Sequence, residues 1–312
     1  MQRNDYLFEL TYRFSMKWIV CLVLWCAVPL LAAAQDEAWW RANVNWDGIS
    51  PYQRYISFTP AGMGPNAIPV PLLRGGLVDS MHSISISAAV HGMKGDFAVN
   101  PSLYATVALV PNKISFDAWY VPVEWFRSSH AIKTQRRIFY KFYNNQWSTG
   151  DFILNTNIQL LRQQRHGWNA ALRISYRFPT GGDVGQARYT DAPGYSFDVN
   201  WSRSLGNSAW RWKGMMGFYV WQMGNLVQQQ NDAFLFGTGL QWQQRKTMVE
   251  AGVAGYLGYL ETKDDRPVVL RLSFEQQWRK QQWFLRLQQG IQDFRYTSAE
   301  LGCAWLLRPV TK

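Results

Sequence analysis

From residue 81 onward the chain repeats one pattern, segments of about ten residues in which apolar and polar side chains alternate. In YSFDVNWS, Tyr195, Phe197, Val199 and Trp201 fall on one side of a strand and Ser196, Asp198, Asn200 and Ser202 on the other, before Gly206-Asn207 ends the run. WNAALRISYRF repeats the theme, with Leu172, Ile174, Tyr176 and Phe178 opposite Arg173, Ser175 and Arg177. In 267–277, Val268, Leu270, Leu272 and Phe274 oppose Arg271, Ser273 and Glu275. Further segments are read at 152–160, 210–221, 233–243, 248–258, 283–289 and 297–306, and less cleanly at 82–91, 101–110 and 114–125. No sustained 3.6-residue period appears beyond the N-terminal region.

The connections carry a second signal. From residue 160 they alternate between short (162–167, 205–209, 244–247, 278–282) and long (179–194, 222–232, 259–266, 290–296). Short turns at one end and longer loops at the other are the habit of barrels that cross a membrane with strands. With 126–151 taken as one long loop holding a partial strand at RIFYKFY, the count is twelve. Counting RIFYKFY as a strand gives thirteen and breaks the short/long order, and fourteen is the alternative count.

The apolar rows could face a protein core, as in an exported β-sandwich, or lipid. A ten-residue strand tilted about 40° covers roughly 25 Å, the height of a barrel's lipid band. Such strands are long for a sandwich. Aromatics gather at segment ends. Trp168, Phe178, Tyr195, Trp201, Trp210, Phe234, Trp242, Trp283 and Trp305 are therefore assigned to interfacial girdles. The expected fold is all-β, a transmembrane up-and-down antiparallel barrel of about twelve strands over residues 81–306, with a short tail at 307–312.

The charged row would then line a lumen. It holds Arg173, Arg177, Arg203, Arg211, Lys213, Arg271 and Arg286 against Asp198, Glu250, Glu275 and Glu300. Either these groups form a basic constriction that selects small polar or anionic solutes, or they pair across strands and fill a narrow barrel.

The N-terminal region reads differently. WIVCLVLWCAVPLLAAAQ follows Met16-Lys17 and has the order of a secretory signal peptide, expected to end at Ala34, with Met16 a possible start. Cys21 and Cys26 fall within it, leaving Cys303 without an internal disulfide partner in the exported chain. Residues 35–80 are irregular and rich in Pro and Gly. They are expected to be a loose periplasmic leader or, alternatively, an insert into the lumen.

Composition narrows the function classes. The 312 residues carry a net charge of +11 with 17% charged side chains, and one long apolar run excludes a polytopic helical membrane protein. Export and the lack of a dense Lys/Arg run argue against nucleic acid. No phosphate loop, zinc spacing or Gly-x-Ser-x-Gly stretch is present, and no cofactor, metal or catalytic residue is assigned. His82 beside Ser83 is a formal nucleophile–base candidate, but adjacent strand residues point to opposite faces.

The signal-like N-terminus, ten-residue strands and loop order resemble single-chain outer-membrane barrels of Gram-negative bacteria, and ARYTDAPGYSFDVNWS is similar in character to Bacteroidetes barrels. RISYRFPTGG, with Pro179-Thr180-Gly181, resembles barrels of the phenol-degradation meta-pathway transporter-like family. The resemblance implies an outer-membrane location in contact with lipid and a role as a channel or transporter. The alternatives are a non-conducting structural or assembly barrel and an outer-membrane lipid-processing enzyme.

Overall fold

The computed structural model describes residues 37–222, 229–260 and 264–307. The expected signal peptide, with Cys21 and Cys26, and the tail after residue 307 lie outside the described residues.

The strands are β1 (His82–Met93), β2 (Asp96–Val110), β3 (Ile114–Tyr120), β4 (Glu124–Ser128), β5 (Trp147–Ser148), β6 (Phe152–Leu161) and β7 (Asn169–Phe178). The chain continues with β8 (Gly194–Ser204), β9 (Trp210–Gln222), β10 (Gln230–Gln244), β11 (Thr247–Gly258), β12 (Val268–Trp278), β13 (Gln281–Gln292) and β14 (Thr297–Leu307). The sheet closes on itself. β1 pairs antiparallel with β14 from His82↔Leu307 to Gly92↔Thr297 and with β2 on its other edge. Closure leaves the ring without an exposed edge, so its backbone groups are satisfied in hydrocarbon.

Twelve strands make the ring. β4 and β5 are extra pieces that prolong it outward. β4 pairs with the start of β2, and Glu124↔Ser148 keeps the register set by Tyr120↔Phe152. The segment 114–125 expected as one strand is thus broken into β3 and β4. RIFYKFY is not strand but contains a short 3-10 turn at Tyr140–Phe142, because Ile138 and Phe139 are buried among loop and lumen side chains. The partial strands of this region are β4 and β5.

One end of the barrel carries the connections 111–113, 162–168, 205–209, 245–246 and 279–280, and is called the turn end here. The other end, the loop end, carries 94–95, 129–146, 179–193 and 293–296, together with the end of β9 and start of β10 and the end of β11 and start of β12.

The outward rows are apolar and exposed, among them Ile84, Ile86, Phe197, Met216, Phe218, Leu270, Leu272, Phe274, Leu285 and Leu301. A barrel whose exterior presents such a belt is built to sit in lipid. The nine assigned girdle residues all lie on outward positions at or near strand ends. Trp168, Trp201, Trp210, Trp242, Trp283 and Trp305 are at the turn end, and Phe178, Tyr195 and Phe234 at the loop end. Among these nine, tryptophans hold the turn end and Phe/Tyr the loop end, where exposed Trp125 and Trp147 on β4 and β5 add to them. Trp212, not anticipated, joins Trp168 and Trp201 at centroid distances of 5.8 and 6.3 Å. Trp201 packs against Gly214, where a Cβ would come within 2.4 Å of the indole.

Residues 37–80 are not loose chain: they pack on and inside the barrel. Helix α1 (Glu37–Val44) sits on the 121–151 loop at the loop end, where Trp40 donates from Nε1 to the Arg137 carbonyl at 3.2 Å and meets Phe139 edge-on at 4.8 Å. From residue 56 the chain then runs through the lumen to the turn end and enters β1.

The lumen as the candidate functional site

The course of residues 56–79 follows from the groups that hold it. Near the loop end, Trp221 Nε1 donates to the Phe58 carbonyl (3.1 Å) and Tyr256 Oη to the Ile68 carbonyl (2.9 Å). Midway, Arg271 donates to the Val70 and Pro71 carbonyls, the latter at 2.7 Å, and Arg173 Nη1 to the Leu72 carbonyl at 3.1 Å. Toward the turn end, Asn200 Oδ1 accepts from Arg74 N (2.7 Å), Ser202 donates to Gly75, and Gln159 Nε2 donates to the Gly76 carbonyl (2.7 Å). Gly76 adopts φ +65°, and a Cβ there would lie within 2.9 Å of the backbone at Asn169, Asn200 and Trp201. A Pro-rich segment has few N–H donors and leaves its carbonyls free. The inward cations and amides of the wall supply the missing partners.

The loop-end half of the lumen is an apolar core. Ile56, Phe58, Met63, Ala67, Ile68 and Val70 pack with inward side chains that include Met215, Tyr219, Trp221, Leu235, Tyr256 and Val269. Above it lies a buried charge network. Asp96 Oδ2 accepts from Arg136 (2.6 Å), Arg188 (2.8 Å) and Tyr296 Oη, and Glu124 accepts from Arg188 Nε (2.7 Å), Asn66 (2.7 Å) and Tyr189 (3.2 Å). Burial works against the Arg188 cation, but Glu124, Tyr296 and Asp96 outweigh it and hold its pKa above the ordinary value. Burial, then Glu124, pushes the Tyr189 hydroxyl well up, so it stays a donor. Burial also raises the carboxyl of Asp183. Asp151 takes Arg177 Nη1 at 2.6 Å and the Gly181 amide at 2.8 Å, and Thr180 accepts from Phe152 N at 2.8 Å. Pro179-Thr180-Gly181 therefore ties a loop to the start of β6.

The assigned lumen residues divide as follows. Arg173, Arg177, Asp198, Arg211, Lys213, Glu250, Arg271, Glu275, Arg286 and Glu300 occupy inward positions of their strands. Arg173 pairs with Asp198 (2.9 Å), Lys213 with Glu250, and Arg286 with Glu300 (3.2 Å). Glu275 accepts from Gln282. Arg203 is the exception. Its parity matches Tyr195 and Trp201, so it faces outward, exposed, with its guanidinium 5.1 Å from the Trp168 ring centroid. A long cationic chain at the rim reaches polar surroundings while its stem covers apolar surface. The sequence reading missed Arg74, Asp117, Asp96, Glu124, Arg136, Asp151 and Arg188. Most lie on loops, on the lumen segment or beside interrupted strands, where alternation gives no guide.

His82 and Ser83 do not pair: His82 Nδ1 accepts from the Ala108 amide at 3.2 Å. Instead His91 joins Ser298 Oγ at Nδ1 (2.7 Å) and Asn100 Oδ1 at Nε2 (3.0 Å) inside the lumen. Asn100 Oδ1 also accepts from Asn66, and Asn66 donates to Glu124, so the chain of bonds links the wall to the lumen segment. Among the described residues no group of three metal-ligating side chains forms.

Two cavities border residues 65–75. A mid-lumen cavity of about 210 Å³ is lined by both wall and segment. A turn-end cavity of about 290 Å³ is lined by Asp79, Ser83, Lys213, Glu250, Ser273 and Gln282, among others. Leu72, Arg74, Tyr104, Arg271 and Arg286 border both and form the layer between them.

No protein-family model matches the chain, and no curated protein is significantly similar. Solved structures similar in shape include the NanC porin (7% identity, 71% of this chain and 98% of that one, TM-score 0.49). Others are the translocator domain of the autotransporter NalP from Neisseria meningitidis (10%, 73% and 88%, 0.43) and the CymD monoaromatic hydrocarbon channel (7%, 75% and 90%, 0.41). At such identities the likeness is one of barrel shape.

Proposed function

We propose that the chain is an outer-membrane barrel closed at rest by its own residues 56–79, with the loop end outside the cell and the turn end facing the periplasm. Small polar or anionic solutes pass only when that segment shifts. The observation that carries this reading is the occupied lumen. The inward cations that could have formed an open selectivity ring instead hold the carbonyls of Val70, Pro71, Leu72 and Leu73. A wall that spends its charged groups on an internal segment makes a gate rather than a free pore.

A second reading, a permanently closed structural barrel, is favoured by the buried network of Asp96, Arg136, Arg188 and Glu124, which shuts the loop end independently of the anchors below. Planar-bilayer recording separates the two. Wild-type protein is expected to insert with rare, brief openings, and R173Q/R271Q to open far more often. A steadily open wild-type pore contradicts closure in either form. A correctly folded double variant that stays silent favours the permanent barrier.

A further inference from the structure

The mid-lumen cavity has the chemistry of a binding site. Five guanidinium groups line it, Arg74, Arg173, Arg177, Arg271 and Arg286, against two carboxylates, Asp117 and Glu300. Four of the arginines have ionic partners: Asp117, Asp198, Asp151 and Glu300 in the same order. Arg271 forms no ion pair among the described residues. Its three nitrogens are spent on neutral oxygens, those of Gln288, Pro71 and Val70, which leaves its charge uncompensated by contact.

Donors are also left over. Arg177, 2% exposed, donates from Nη1 to Asp151 and Thr190 at 2.6 Å, while its Nε and Nη2, with the Tyr219 hydroxyl nearby, make no hydrogen bond of ordinary geometry. Trp119 Nε1 and Arg74 Nε, on residues that line the same space, also lack one. Buried donors without acceptors are costly, and a surplus of cation beside them sets the sign of what would relieve them. The wall contributes flat guanidinium forks, which suit paired oxygens.

We infer that this cavity binds a small oxyanion, a carboxylate or a phosphate, whose charge balances Arg271 and toward which the packed-in donors of Arg177 and Trp119 turn as it binds. The site rests on the proposed function for its purpose and not for its existence, since binding to a closed barrel needs no conduction. The neighbouring turn-end cavity supplies the approach, with Arg74, Arg271 and Arg286 at the layer between. A bound anion also competes with the Val70 and Pro71 carbonyls for Arg271, which couples occupancy to the grip on the segment.

The test is equilibrium binding of inorganic phosphate and of succinate to the purified full chain in detergent, by calorimetry, with glycerol as a neutral control of small size. One saturable site for at least one of the two anions, and none for glycerol, is expected. R271Q is expected to weaken that binding by about tenfold or more, the scale of a lost charged contact. W119F, which removes one donor and keeps the ring, is expected to weaken it several-fold with the heat-dependent gel shift of a folded barrel intact. S273A alters only the turn-end cavity and is expected to bind as wild type. No saturable binding of either anion overturns the site, as does wild-type affinity in folded W119F and R271Q, or equal binding of glycerol. A silent bilayer recording with no anion binding overturns the site and leaves the closed barrel standing. A steadily open pore that binds phosphate does the reverse.

Discussion

The two halves of the lumen are built on different principles. The loop-end half is a dry core, where residues 56–70 pack against aromatic wall side chains under a network whose charged members are fully buried. The turn-end half holds the same segment mainly by backbone carbonyls and amides and keeps a cavity of about 290 Å³. Dense apolar packing gives a fixed position, whereas a segment held by a few polar anchors beside open space can move at less cost. The segment is therefore held more tightly in the loop-end half than toward the turn end.

Substitutions can break this contrast. The largest effect is expected at Arg188. R188A leaves Asp96 and Glu124 in a buried setting with a partner removed, and is expected to cost about 3–5 kcal/mol in denaturant unfolding of the refolded barrel. Trp221 comes next: W221A empties the dry core and removes the bond to Phe58, and a loss of about 3 kcal/mol or more is expected by the same assay. At the turn end G76A should cost less, roughly 1–3 kcal/mol, through the positive φ and the close backbone. It should also raise protease sensitivity near residues 74–79 while leaving the loop end protected. The smallest effect is expected at Arg211, an inward residue near the turn end, where R211Q should stay within about 0.5 kcal/mol of wild type. A stability cost at Arg211 equal to that at Arg188 would erase the distinction between the halves.

Much of the wall could be read from alternation, because a strand with lipid on one side and polar groups on the other repeats every second residue. VLRLSFE of β12 and the strand around Asp198 show this directly. The lumen segment was harder to see. Its Pro and Gly content excludes a strand but does not say where the chain goes. The informative signal lay elsewhere, in MMGFYVW of 215–221. That run is apolar on both faces, with Met216 and Phe218 outward and Met215, Tyr219 and Trp221 buried inside. A wet lumen has no use for such a face, and only an apolar insert accounts for it. Arg203 was misplaced because its charge suggested the lumen while its parity, shared with Trp201, required the rim. The loop-end network was illegible for a different reason: Asp96, Glu124, Arg136 and Arg188 are brought together by pairings across up to 92 positions of sequence, which no local pattern encodes.

The path of residues 56–79 is tested most directly by where their upstream end emerges. Ile49 is 91% exposed at the loop end, and Asn207 lies in the 205–209 turn at the other. With Cys303 replaced by Ser, I49C in intact cells is expected to react with a membrane-impermeant maleimide without permeabilisation, and N207C only after it. Labelling of I49C solely in permeabilised cells, alongside N207C, would place residue 49 on the periplasmic side and contradict passage through the lumen.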